Sequence, residues 1–203
     1  MRETTAAAFL EIVSGRRGHF RLESGHHGAL WLDLDPLFAE PRRIDPFVAA
    51  LAGVIRPHGV SAVCGPLLGG AFLAQLVARA LDAEFCFTER VMPAERGGLY
   101  PARYRLPPAF ARRLRGKRVA MVDDVMSAGS ALRGTHAELE AHGAIPVVAG
   151  ALLVLGATGA GYFAERGVAV AAVAREDYEL WLPDECPLCA AGRPPLEDVA
   201  AGA

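Results

Sequence analysis

Two adjacent carboxylates followed by a turn of small residues form the part of this sequence with the clearest chemistry. Asp123 and Asp124 come directly after an apolar run at residues 119–122. The turn that follows reads Ser127-Ala128-Gly129-Ser130-Ala131, and none of its side chains is bulky. Carboxylates can accept hydrogen bonds from sugar hydroxyls, and backbone N–H groups at the start of a helix bind anions. The pattern therefore predicts a site for a phosphorylated sugar.

A simpler interpretation of the same residues needs only a strand, a turn and a helix. In that case Asp124 or Ser127 is the N-cap of the helix. This interpretation leaves the second carboxylate without a role. The sugar-phosphate site is therefore the leading hypothesis, and the surrounding structure tests it.

These side chains need a strand that ends in a crevice and a helix that begins beside it. Residues 119–122 are apolar with valine at both ends, which is typical of a parallel strand covered on both faces. Such a strand lies in the middle of a sheet. Asp123 and Asp124 would then stand at its carboxyl end, where open α/β sheets bind ligands.

Strand and helix patterns alternate along most of the chain. An α/β fold with a doubly wound, mostly parallel sheet is therefore predicted. A first helix is expected to end near Ser14, and extended pieces at 19–22 and 30–34 predict a hairpin outside the main sheet. The predicted core strands are residues 60–64, 84–88, 119–122, 147–155 and 168–173. The predicted helices are residues 46–56 with Asp45 as N-cap, 71–81, 131–141 and 161–165. Residues 89–115 are irregular, which is typical of a functional loop.

The length and charge of the chain limit the possible functions. Its 203 residues predict a single domain, with an N-terminal helix and hairpin at 1–40, a core at 41–180 and a C-terminal tail at 181–203. A net charge of −2 gives no bulk attraction to nucleic acid or to an anionic membrane. Because the sequence shows neither a membrane span nor a secretory pattern, we expect a cytoplasmic protein. Lys117 is the only lysine among 21 basic residues, so arginine must supply the cations of any loop.

Residues 118–132 resemble the phosphoribosyl pyrophosphate motif of type I phosphoribosyltransferases. Further segments are similar, in the same order, to orotate phosphoribosyltransferases of that group. Residues 18–25 and 31–33 resemble the N-terminal hairpin that forms a hood over the base. Residues 65–70, Gly-Pro-Leu-Leu-Gly-Gly, resemble a loop that binds pyrophosphate through its backbone. That resemblance implies strained peptides in this loop, which its glycines permit.

Two more segments extend the resemblance. Residues 87–90 with 97–98 resemble a strand end and a mobile loop, and residues 182–194 resemble the C-terminus of one bacterial branch of the family. The resemblance implies an enzyme that moves ribose 5-phosphate from phosphoribosyl pyrophosphate to a nucleobase and releases pyrophosphate. Orotate would give orotidine 5′-phosphate in pyrimidine biosynthesis. It also implies Mg²⁺ held mainly by the substrate rather than by protein ligands, and a homodimer whose mobile loop reaches the neighbouring site.

The resemblance also implies roles for individual residues. The expected catalytic residues are Asp123 and Asp124 at the ribose, with Arg96 or Arg103 reaching the pyrophosphate from the mobile loop. The further residues expected to bind phosphoribosyl pyrophosphate are Ser127, Ala128, Gly129, Ser130, Ala131, Gly65, Pro66, Gly69, Gly70 and Arg90. The residues expected at the base are Ser24, Gly25, His26 and Trp31. His26 and His27 lie in a predicted turn, where exposure to solvent is the commoner alternative.

Three departures from the orotate pattern leave other functions open. The mobile loop carries arginines where orotate enzymes have lysines and a histidine, and the hood carries Glu23 and two histidines where basic residues are common. After the strand that ends at Leu155, orotate enzymes place an Asp-Arg pair whose arginine meets the orotate carboxylate, but this chain reads Gly156-Ala157-Thr158. One alternative is the same transferase acting on a purine or another base. The other is a non-catalytic regulator that binds phosphoribosyl pyrophosphate.

Cys186 and Cys189 form a Cys-x-x-Cys pair in the tail. Two thiolates at this spacing can share a tetrahedral metal ion, but the sequence shows no second pair of this kind. Four cysteines spread unevenly along the chain do not predict a disulfide framework. We interpret Cys186 and Cys189 as free thiols at a turn, with a metal shared across a dimer as the alternative.

Overall fold

The computed structural model describes residues 5–91, 99–192 and 194–199. Its strands are β1 (Ser14–Arg21), β2 (His27–Asp33), β3 (Ala62–Pro66), β4 (Glu84–Val91), β5 (Arg103–Arg105), β6 (Arg118–Met126), β7 (Ile145–Leu155), β8 (Ala169–Glu176) and β9 (Glu197–Asp198). Its α-helices are α1 (Ala6–Leu10), α2 (Pro41–Ile55), α3 (Gly69–Leu81), α4 (Pro108–Leu114), α5 (Ser130–Ala141), α6 (Thr158–Ala164) and α7 (Pro187–Ala191). Short 3₁₀ helices occupy Asp35–Phe38, Arg56–His58 and Pro183–Glu185.

The main sheet has the strand order β5-β4-β3-β6-β7-β8. Its neighbouring strands are parallel except for β4 and β5, which pair antiparallel. Helices connect the parallel strands and cover both faces of the sheet. The predicted α/β fold with a doubly wound, mostly parallel sheet is confirmed, and β6 lies inside the sheet, as the apolar run predicted.

Residues on β6 alternate between two cores. Val119 and Met121 pack into a cluster that includes Leu132 and Leu139 of α5. Ala120 and Val122, which alternate with them along the strand, pack into the cluster on the opposite face, together with residues of α2 and α3. All four of these β6 side chains are fully buried. Because both faces of β6 are held in this way, the carboxylates at its end have a rigid support.

A second, smaller sheet has the order β2-β1-β9 and lies outside the main sheet. The antiparallel pair β1 and β2 forms the predicted hairpin, and we call residues 14–33 the hood. Strand β9, which no sequence pattern predicted, pairs parallel with β1 through Phe20 and Glu197. Arg16 also donates a hydrogen bond of 2.7 Å to the Glu197 carboxylate. The end of the described tail therefore returns to the start of the chain.

Several predicted boundaries were wrong. Helix α2 begins at Pro41 rather than after Asp45, so Asp45 is not its N-cap and Pro46 lies inside the helix. The reason is that Ile44 is already buried in the core, which extends the apolar stripe toward the N-terminus. The predicted irregular segment 89–115 contains the end of β4, together with β5 and α4. No helix in the described part of the chain has the length and hydropathy that a membrane crossing requires.

Candidate active site

A cavity of about 340 Å³ opens where β6 ends, with the hood on its other side. Five of the residues predicted to bind the sugar phosphate line it: Asp123, Ser127, Gly129, Ser130 and Ala131. Two of the residues predicted at the base, Ser24 and Trp31, line it from the hood. The structure therefore brings the two predicted groups of residues to one cavity.

The turn after β6 presents backbone groups to this cavity. Gly129 is the N-cap of α5 and has φ 74° and ψ 26°, a left-handed conformation that favours glycine. No side chain makes a capping hydrogen bond to this helix, so neither Asp124 nor Ser127 has the role that the simpler interpretation gave it. The first N–H groups of a helix lack intrahelical partners and are available to an anion. Ala128 is buried, so its side chain does not face the cavity.

Asp123 and Asp124 lie inside β6, near its carboxyl end, rather than after the strand. The Asp124 N–H donates to Oδ1 of Asp123 at 3.1 Å, and the Val125 N–H donates to Oδ1 of Asp124 at 2.7 Å. Removal from water raises the pKa of Asp123 well above its usual range, and the negative charge of Asp124 raises it further. The adjacent carboxylates therefore favour a ligand that brings hydroxyl donors or a cation.

The raised pKa of Asp123 predicts how stability depends on pH. Above the ordinary carboxyl pKa, about 4, the folded protein keeps a proton that the unfolded chain has released. The stability that this group contributes is complete below that pH, and it is lost as the pH rises through the higher pKa of the folded state. Urea denaturation of the protein and of Asp123→Asn between about pH 4 and pH 8 measures this. The decline should be smaller in the variant, and an equal decline in both proteins would contradict the assignment to Asp123.

The glycine-rich turn at residues 65–70 packs against these carboxylates from β3. A side chain at Gly69 would overlap Oδ2 of Asp124, and a Cβ at Gly70 would stand 2.8 Å from Oδ1 of Asp123. A side chain at Gly65 would overlap the Gly70 carbonyl group. The peptide bond between the two leucines of the turn is cis. These glycines, Pro66 and Asp124 do not line the cavity, but the turn lies against both carboxylates and so sets the position of Asp123, which does line it.

A polar link joins the hood to the neighbouring strands. The Tyr104 hydroxyl donates to Oε1 of Glu23 at 2.9 Å, and the Arg90 guanidinium lies 3.7 Å from Oε2 of Glu23. Burial raises the pKa of Tyr104, and the Glu23 charge adds to this, so the hydroxyl stays protonated. Arg90 is therefore held next to Glu23, which lines the cavity. Arg103 is exposed on β5 and does not line the cavity, and Arg96 lies outside the described residues.

The two histidines of the hood turn are buried, so the expected exposure to solvent was wrong. His26 Nδ1 lies 3.1 Å from the Ser24 hydroxyl, and its ring meets Tyr100 edge to face. Burial and the charge of Arg133 lower the pKa of His26, which keeps the ring neutral. His26 and Gly25 lie behind Ser24 rather than in the wall of the cavity.

Sequence reasoning missed several residues of the site. Tyr178 lines the cavity and donates to the Leu30 carbonyl at 3.1 Å, Val199 reaches the cavity from the tail, and the buried Tyr104 donates a hydrogen bond to Glu23 of the cavity wall. The alternation of Arg103, Tyr104 and Arg105 is a strand pattern that could have placed Tyr104 in the core. The other two depend on how the tail folds back, which no local pattern indicates.

Comparison with known proteins adds to this geometry. The chain is 31% identical over 180 residues to orotate phosphoribosyltransferase of Thermotoga maritima, a match that covers 87% of each protein. The chain belongs to the orotate phosphoribosyltransferase family. Over 188 residues, this chain is 35% identical to the orotate phosphoribosyltransferase of Carboxydothermus hydrogenoformans. The match covers 92% of this chain and 91% of that protein. No family model matches the sequence.

Solved structures show how widely this orotate phosphoribosyltransferase family fold is shared. The structure of orotate phosphoribosyltransferase from Aeropyrum pernix matches with a TM-score of 0.61 and 24% identity, over 81% of this chain and 88% of that one. Adenine phosphoribosyltransferase from Thermoanaerobacter pseudethanolicus matches with a TM-score of 0.64 and 16% identity, over 84% and 99% of the chains. The fold is therefore common to phosphoribosyltransferases named for different bases.

Proposed function

We propose that the protein transfers ribose 5-phosphate from phosphoribosyl pyrophosphate to orotate, which yields orotidine 5′-phosphate and pyrophosphate. The observation that carries the proposal is the shared cavity, in which Asp123 and the turn at residues 127–131 face Ser24 and Trp31 of the hood. Relatives with 31% and 35% identity carry the name of this activity. The reaction would belong to pyrimidine biosynthesis, and we propose that it takes place in the cytoplasm.

Each part of the cavity has a role in this reaction. Displacement of pyrophosphate builds positive charge on the ribose, which the carboxylates of Asp123 and Asp124 would stabilise while they accept hydrogen bonds from its hydroxyls. Backbone groups of residues 127–131 would bind the 5′-phosphate and hold the sugar in line for attack. Trp31 and Tyr178 offer flat apolar surfaces on the side where a base would enter.

We propose that Mg²⁺ accompanies the substrate. Two adjacent carboxylates, one with a raised pKa, are the hard oxygen donors and the negative potential that this ion prefers. Asp123 and Asp124 would hold it by way of ribose hydroxyls or water, and pyrophosphate oxygens would supply most of its ligands. When bound, the ion would neutralise charge on the leaving group.

A second protomer and the segment after β4 would complete the site. Arg90 lies 3.7 Å from Glu23, which lines the cavity, and Arg103 is exposed on β5, so described residues on both sides of that segment carry arginines. We propose that Arg96 or Arg103 meets the pyrophosphate when this segment closes. We also propose a homodimer, in which the arginine comes from the neighbouring protomer.

One observation favours a neutral base as a second candidate. Among the described residues that line the cavity, the charged side chains are Glu23 and Asp123, and both are acidic. Gly156 follows Leu155 with φ 66°, at the place where orotate enzymes would present an arginine. An anionic base therefore finds no cation among these lining residues. A purine or another neutral base would need none.

Pyrophosphate release with a panel of bases tests the proposal. The protein is incubated with Mg²⁺, phosphoribosyl pyrophosphate and orotate, uracil, adenine, guanine or hypoxanthine in turn. We expect release with orotate, and release should stop when Mg²⁺ is removed with EDTA. Release only with a neutral base would show that the substrate is the second candidate and not orotate. Binding of phosphoribosyl pyrophosphate without release from any base would contradict catalysis and favour a regulator.

A further inference from the structure

Four potential metal ligands converge at the place where the hood meets the tail. His19 and His27 come from β1 and β2, and Cys186 and Cys189 come from the segment at α7. Their ligand atoms all lie within 4.8 Å of one another. The two histidines and Cys186 are buried, and Cys189 is exposed at the edge. The hood therefore supplies a second pair of ligands beside the two cysteines, from a part of the chain far away in sequence.

Four of the six distances between these atoms match a tetrahedral site. Nε2 of His19 lies 3.3 Å from Nδ1 of His27, 3.4 Å from Sγ of Cys186 and 3.6 Å from Sγ of Cys189. Sγ of Cys189 lies 3.3 Å from Nδ1 of His27. Zinc bond lengths of about 2.05 Å to nitrogen and about 2.3 Å to sulfur, with tetrahedral angles, require about 3.4 Å between two nitrogens and about 3.6 Å between nitrogen and sulfur.

Hydrogen bonding alone does not account for this cluster. Nδ1 of His19 lies 3.1 Å from the Pro194 carbonyl oxygen, which can only accept, so this nitrogen carries the proton and Nε2 has one lone pair. Three atoms nevertheless approach Nε2 at 3.3–3.6 Å. One lone pair serves one of them, whereas a metal ion satisfies all four ligands at once. A carbonyl oxygen that accepts a hydrogen bond from the second ring nitrogen is also the usual support of a histidine that binds a metal ion.

The surrounding backbone holds the two segments together independently of any ion. The His27 N–H donates to the Trp181 carbonyl at 2.9 Å, and the Trp181 N–H donates to the His27 carbonyl at 3.0 Å. On the other side of the cysteines, β9 pairs with β1 at Phe20 and Arg21. The ligands are therefore positioned before a metal binds, which lowers the entropy cost of forming the site.

We propose that His19, His27, Cys186 and Cys189 bind one zinc ion, which fastens the tail to the hood. Two nitrogens and two thiolates in a closed tetrahedron are a structural zinc set, because no position is left for a substrate. The ion cross-links residues 167 positions apart, so it closes a very long loop. It also anchors the strand ends next to Leu22, Glu23 and Ser24, which line the cavity.

Metal content tests the proposal directly and does not depend on which base reacts. The purified protein, dialysed without chelator, should contain one zinc ion per chain. Elemental mass spectrometry measures this content. Cys189→Ser and His19→Ala should each hold less than a tenth of that amount. Cys86→Ala and His142→Gln remove a thiol and an imidazole elsewhere and should keep the full amount. No zinc in the parent protein after supply of the metal, or full zinc in the ligand variants, would overturn the proposal.

Two measurements on the unsubstituted protein test the site even if the variants fail to fold. Co²⁺ bound in place of zinc should give the visible absorption of a tetrahedral site and a near-ultraviolet band from thiolate ligands. Chelation of the metal should lower the melting temperature by on the order of 10 °C, and zinc should restore it. An octahedral cobalt spectrum, a disulfide between Cys186 and Cys189 in the freshly purified protein, or a melting temperature that chelation does not move would each contradict the site.

Discussion

Replacement of Asp123 by Asn is expected to lower kcat/KM for phosphoribosyl pyrophosphate by about 10²- to 10³-fold. The side chain lines the cavity and would face the positive charge that develops on the ribose, a charge that favours its ionised form, whereas an amide of the same shape cannot ionise. The stability of the folded protein should not decrease. Because burial and Asp124 raise the pKa of Asp123, the charged form is unfavourable in the folded protein, and Asn removes that cost. Steady-state kinetics and thermal unfolding of one preparation measure both effects.

A matched control for this variant is available at the end of α3. Asp82 has φ 55°, a left-handed conformation that Asn tolerates, and the residue lies far from the cavity lining. Asp82→Asn should leave kcat/KM within about twofold of the parent value. If Asp123→Asn kept the parent activity, or lost activity only because it unfolded, the carboxylate would not have the proposed role at the ribose.

Replacement of Gly69 by Ala is expected to lower kcat/KM by about 10²-fold with little change in melting temperature. The added methyl group would overlap Oδ2 of Asp124, so the carboxylate must move, and a displacement of about 1 Å in a reacting site has an effect of this size. Gly69 is the first residue of α3, where alanine is a good helix former, so the helix itself should not be weakened. Kinetics with saturating base and varied phosphoribosyl pyrophosphate measure the loss.

Gly53 provides the comparison for this variant. It lies exposed in α2, and a Cβ there would meet nothing within 4 Å. Gly53→Ala should raise the free energy of unfolding by about 0.5–1 kcal/mol and leave activity unchanged. Equal activity in the Gly69 and Gly53 variants would show that the turn at residues 65–70 does not position the carboxylates.

The sequence predicted the central part of the fold because its signals are local. The apolar run at residues 119–122, the two carboxylates and the small residues after them occupy one continuous segment, and the structure places most of them around one cavity. The hairpin outside the main sheet was also predicted correctly. Residues 65–70 could be assigned only by resemblance, since nothing in their spacing shows that Gly69 lies against Asp124.

What the sequence did not predict depends on contacts between distant segments. Strand β9 has two residues, which is too short for any periodic pattern, and it exists because β1 offers an open edge. The burial of His27 follows from its pairing with Trp181 in the tail. The proximity of Cys186 and Cys189 to two histidines was not predicted either, because these histidines lie on the first hairpin, more than 150 positions earlier.

The return of the tail to β1 also constrains the order of events during protein synthesis. The first hairpin leaves the ribosome early, but Trp181 and β9, which complete its sheet, are translated only after all the strands of the main sheet. A nascent chain can therefore carry a complete main sheet while its second sheet still lacks β9. The cavity wall is complete only once Val199, which lines it from the tail, has been translated and β9 has paired with β1.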